Sequence, residues 1–184
     1  MIKIFEDIKN IDKTLLFNRS LSASGVEDIV SDIIANVRAR GDEALFEYTE
    51  RFDRAKLTSL EVSKEEIKKA VDEIGEEFMG VLRRAAENIE AFHKRQVRNS
   101  FLINEKDGVV IGQKVIPIEK VGLYVPGGTA AYPSTVLMDA IPAKIAGVRE
   151  VVMVTPPSAD GKVNPAILAA ASVAGVDRIF KVGG

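Results

Sequence analysis

Cysteine is absent from this chain, and histidine occurs once, as His93. Without cysteine there is no disulfide, no thiolate nucleophile and no sulfur-ligated metal site. A catalytic zinc ordinarily takes three protein ligands from His, Glu, Asp or Cys. A single histidine therefore argues against a complete zinc site among these residues, although carboxylates could contribute. A charge excess is also lacking. The formal net charge of -2 gives no electrostatic reason to expect nucleic acid or an anionic membrane as partner. No apolar run approaches the length needed to span a bilayer. The opening "MIKIFEDIKN" carries acidic residues where a signal peptide would not, so the expected location is the cytoplasm. Two phosphate-binding signatures are missing as well: G-x-G-x-x-G and the loop ending in Gly-Lys-Ser/Thr.

What remains is an ordinary globular composition, 46% apolar and 28% charged over 184 residues, enough for a core in one domain or two small ones. Four parts can be distinguished. Residues 1–20 carry scattered apolar positions without a helix-long stripe and read either as an arm that packs on another subunit or as a loosely packed terminus. Residues 21–98 read as helical. Residues 99–119 read as a connecting hairpin. Residues 120–184 alternate strand and helix.

In the helical part, Ser24 and Glu27 form a capping box ahead of Val26, Ile29, Val30, Ile33, Ile34 and Val37, and Gly41 ends the run. Asp42 can cap a shorter helix carrying Leu45, Tyr48 and Phe52. Ser63 and Glu66 repeat the capping box before Ile67, Ala70, Val71 and Ile74. A long helix over residues 76–96 then aligns Phe78, Leu82, Ala85, Ile89 and Phe92. Its end holds Lys94, Arg95 and Arg98, cations suited to a helix C-terminus, read as a solvated end rather than a nucleic-acid patch. His93 has three readings: a surface or packed helix histidine, a functional acid/base, or a metal ligand.

"SFLINEKDGVVIGQKVIPI" has the form of a hairpin, with strands over residues 101–104 and 109–118, a turn at Lys106-Asp107-Gly108, and Pro117 near a strand end or edge. From Lys120, three strands ("KVGLYV", "EVVMVT", "RIFKV") alternate with two helices. Ser134 can cap the first helix and Gly147 close it. Asn164 and Pro165 open the second and Gly175 closes it. "EVVMVT" is continuously apolar, as in strands covered on both faces of a parallel sheet. Three parallel strands with right-handed crossovers make half of a doubly wound α/β fold.

Ligands in such sheets sit outside the carboxyl ends of the strands. Those ends are Tyr124-Val125-Pro126-Gly127-Gly128, Thr155-Pro156-Pro157 and Val182-Gly183-Gly184. Glycine pairs let a ligand approach backbone closely, prolines stiffen the rim, and Tyr124 offers a flat face and a hydroxyl. The same residues also serve any tight strand-to-helix turn, and on these grounds alone both readings stand. No catalytic set emerges. Ser134 and His93 lack a nucleophile elbow, and most acidic residues occupy exposed helical positions.

The stretch "KVGLYVPGGTAAYPSTVLMDAIPAKIAGVREVVMVTPP" with "ILAAASVAGVDRIFKVGG" closely resembles the histidinol dehydrogenase family. So do "VRARGDEALFEYTERFD" (residues 37–53) and "AAENIEAFHKRQ" (residues 85–96), in the family's order. The resemblance implies an NAD-dependent, zinc-assisted enzyme of histidine biosynthesis that oxidises L-histidinol through L-histidinaldehyde to L-histidine. It also implies a homodimer with intertwined ends and incomplete, Rossmann-like domains of the aldehyde-dehydrogenase-like kind. Carried over by position, Tyr124 matches the family's NAD-contacting tyrosine. Pro126 and Pro156 are weaker candidates for the same cofactor. The family's zinc ligands, substrate-binding residues and Glu-His acid/base pair lie beyond Gly184, so no catalytic and no metal residue is assigned here. The chain thus resembles the N-terminal portion, somewhat under half, of such an enzyme. It is expected to be a proteolytic fragment, a truncated gene product, or one of two chains that share the enzyme, and to be inactive alone. The alternative is a non-catalytic NAD-binding or assembly module from a truncated paralogue.

Overall fold

The computed structural model describes residues 26–127 and 131–183. The expected arm, the Ser24 cap, Gly128 and Gly184 lie outside them. Two compact units divide at Gly41, residues 1–41 and 42–184. In the first, helix α1 (Val26–Arg40) opens with Glu27 and Asp28 and closes with Arg38 and Arg40, charges that suit the helix dipole. Among the described residues most of its apolar stripe is exposed, at Val26, Ile29, Val30 and Ile34, while Ile33 and Val37 are partly buried. Gly41 adopts a positive φ of 59° and ends the helix, as glycine can.

The second unit begins with α2 (Asp42–Tyr48), which passes into a π-helical turn, Thr49–Asp53. Asp42 is the first residue of α2 rather than a cap before it. Arg54, at φ 58°, is the one non-glycine residue with positive φ among those described, and it turns the chain so that Ala55 is fully buried. Helix α3 spans Lys64–His93, followed by a 3-10 turn, Lys94–Gln96. Its capping box is complete: Ser63 Oγ accepts from the Glu66 N–H at 3.1 Å, and Glu66 Oε2 accepts from the Ser63 N–H at 2.8 Å. The two helical runs read from the sequence join across a kink at Gly75, whose φ 78° and ψ 159° are non-helical.

The hairpin pairs β1 (Phe101–Lys106) with β2 (Val109–Gln113) in antiparallel register around Asp107 and Gly108. The first strand is longer than expected and the second shorter, so Pro117 falls outside it. Both strands are exposed along their whole length.

The sheet has order β3-β4-β5, all parallel, formed by β3 (Lys120–Tyr124), β4 (Glu150–Thr155) and β5 (Arg178–Lys181). Helices α4 (Pro133–Ile145) and α5 (Pro165–Ala174) make the crossovers. Pro133 starts α4, with Tyr132 in the cap position and no side-chain cap. Ser134, expected as the cap, lies inside the helix. Proline at the first helical position has φ preset and no N–H to satisfy, so it fixes the start two residues earlier. Asn164 does cap α5, its Oδ1 accepting from the Ala166 N–H, and Gly175 closes it at φ 72°. Val151, Met153 and Ile179 face α3, α4 and α5 in one core with Leu82, Leu137 and Ile167. β4 is buried at alternate residues only: Val152 and Val154, on the other face, are partly exposed, unlike a strand covered on both faces. Residues 60–62 run antiparallel along the outer edge of β5, with Val62 N–H donating to Ile179 O and Lys181 N–H donating to Leu60 O. The architecture is α/β, half of a Rossmann-like doubly wound sheet preceded by helices.

Candidate functional site

The register of the sheet decides which side chains share a face. Tyr124 pairs with Val154, and Val154 with Phe180, in one row. This row lies opposite the helix-covered row of Leu123, Met153 and Ile179. Tyr124 is 49% exposed, at the carboxyl end of β3. Beyond Phe180, α2 and residues 58–61 cross the same face and enclose a cleft of about 520 Å³, lined by Leu45, Phe46, Val154, Arg178, Phe180 and Val182. Arg178 is fixed there by a two-pronged pair to Glu61, at 2.9 and 2.8 Å, and its guanidinium lies over the Phe180 ring. The hydrogen bond from Arg178 holds the Glu61 carboxyl below its ordinary value.

The three rim residues read from the sequence fall on neighbouring strand ends. Val125 is fully buried and its N–H donates to Val154 O, which carries the pairing one residue past Tyr124. Pro126 and Pro156 are partly buried. Gly127 packs against Pro156 so closely that a Cβ at Gly127 would lie 2.7 Å from Pro156 Cγ. That approach requires glycine and brings the ends of β3 and β4 into contact. An exposed aromatic ring, two prolines and an exposed glycine thus stand together at these strand ends. Ser158, Gly161 and Lys162 close the following turn through backbone bonds, so the Pro156-Pro157 rim is braced from behind.

One functional candidate escaped the sequence reading. Asp53, ending the π-helical turn, lies against Gly183 at the end of β5: a Cβ on Gly183 would be 2.9 and 3.1 Å from the two carboxylate oxygens. Burial pushes its carboxyl above the ordinary value, and no hydrogen bond or ion pair reaches it among the described residues. No local motif marks it, because the contact joins distant parts of the chain.

Other sequence candidates lie elsewhere. His93 Nδ1 is 2.6 Å from Gln96 Oε1, and its ring meets Phe92 edge-on, which gives it a local structural role at the end of α3. Lys94 pairs with Glu90 at that solvated end. Lys181, largely buried, donates to Glu66 at 2.6 Å. Burial tends to raise the Glu66 carboxyl, but hydrogen bonds from Lys181 and Ser63 outweigh it and hold it low. Among the described residues, no group of three or more His, Cys, Asp or Glu side chains could hold a metal, so these residues do not fit zinc. Nor is any helix among them long and apolar enough to cross a membrane.

Comparison with known proteins gives one answer. The family model for histidinol dehydrogenase matches residues 17–184. The histidinol dehydrogenase of Methanosarcina mazei is 50% identical over 185 residues, covering 100% of this chain and 43% of that protein. That of Clostridium acetobutylicum is 49% identical, covering 100% of this chain and 44% of that protein. The Geobacillus kaustophilus protein is 55% identical over 88% of this chain and 39% of its own length. The crystal structure of histidinol dehydrogenase from Elizabethkingia anophelis superposes with a TM-score of 0.82 at 40% identity, covering 86% of this chain and 37% of that one. The chain spans well under half the length of these relatives. With the family model, the relatives and the parallel sheet in agreement, the chain belongs to the histidinol dehydrogenase family.

Proposed function

We propose that this chain supplies the first wall of the dinucleotide site in an NAD- and zinc-dependent dehydrogenase of histidine biosynthesis. That enzyme oxidises L-histidinol through L-histidinaldehyde to L-histidine. Membership of the family supports the reaction, and one observation carries the site: Gly127 against Pro156, with Tyr124 exposed beside them at the strand ends. NAD, when bound, supplies hydride acceptance. The residues of this chain bind and orient it. The Tyr124 ring offers a stacking face, Pro126 and Pro156 give a stiff apolar floor that excludes water, and Gly127 leaves backbone open to approach. Zinc would be held by residues outside those described, and no step is derived through it. The working protein is a cytoplasmic homodimer in which residues 1–20 pack on the second subunit as an arm. On the same reading the remaining parts are a helical portion over 21–98, a connecting hairpin over 99–119 and a half-sheet over 120–184. Partners are the small-molecule substrate and the second subunit, with no nucleic acid and no membrane.

NAD titration followed by calorimetry tests the site. Tyr124→Ala should weaken binding by about tenfold, the scale of a lost aromatic contact. Equal affinity in wild type and variant would remove Tyr124 from the site, and no binding by the wild-type chain would remove the dinucleotide reading for this chain.

A further inference from the structure

We draw no further inference here: the strongest candidate, the cavity of about 370 Å³ between the first half of α3 and the N-terminus of α5, carries nothing, because it mixes Lys69 and Lys162 with Glu66, Glu73 and Asp160, Glu66 and Lys162 already pair with Lys181 and Asp160, and among the described residues no buried unpaired polar side chain marks a ligand there.

Discussion

Among the ion pairs of the described residues, that between Lys181 and Glu66 contains the most buried partner. The Lys181 side chain is 9% exposed and that of Glu66 39%, so one partner is desolvated and the other still meets water. Replacing Lys181 with Met keeps its bulk and leaves Glu66 with only its capping bond. The expected loss is about 1 kcal/mol at neutral pH, discounted because Glu66 can rehydrate. The sign with pH follows from the lowered Glu66 value. Its pairing contributes stability above the ordinary carboxylate value of 4.5, and that contribution is lost as pH falls through the lower folded value. Chemical denaturation at a series of pH values should therefore show a shallower acid limb for Lys181→Met than for wild type. Single residues were legible in the sequence only where their signal was local. The strand end at Tyr124 was readable because a strand, a Pro-Gly pair and a helix follow in order. Glu66 was legible as a local capping residue, but its pairing with Lys181 was not, because that partner is 115 positions away.

Helix α3 shows how far local signals reach. Ser63 and Glu66 announced a capped helix and the stripe over residues 76–96 a second run; the chain joins the two across Gly75, which the sequence reading had not singled out. At Gly75 a Cβ would meet nothing within 4 Å, so space is no obstacle to substitution. The obstacle is the backbone, since φ 78° with ψ 159° is nearly closed to residues with a side chain. Gly75→Ala should destabilise the chain by about 1–3 kcal/mol, read as a lower urea midpoint. A neutral result would mean that the kink straightens at little cost. The start of α4 was misread because Ser134 and Pro133 both signal a helix start, and the proline prevailed. The ends of the hairpin strands were misread for a different reason. Nothing in the described residues packs on them, so burial, which usually fixes where a strand ends, gives no pattern there.

Across the whole molecule the apolar surface is unevenly covered. The core between the sheet and α3, α4 and α5 is dense, whereas Leu102 is 80%, Ile118 69%, Ile116 67% and Val110 62% exposed. An apolar hairpin of this kind attracts apolar partners. The chain should self-associate, seen as a sedimentation coefficient that rises with concentration, and Leu102→Glu with Val110→Glu should suppress the rise. A coefficient constant over a hundredfold dilution range would count against this. The fold class was legible because β4, α5 and β5 have unambiguous periods and caps. The uncovered face of β4 was not, because a continuous apolar run does not tell which side the rest of a protein covers.

The antiparallel segment along β5 has a directional consequence. Residues 60–62 occupy the outer edge of β5, so no further strand can pair there. Among the described residues, β3 carries no strand on its other side. Any additional strand, from more of the same polypeptide or from another, must therefore join at β3. Strands added first away from β3 on one side and then on the other reverse the order of winding at that strand. The crevice of a doubly wound sheet opens at this reversal. With one edge taken by three residues ahead of the longest helix, a sheet extended by further strands would turn back at β3, the strand that ends in Tyr124.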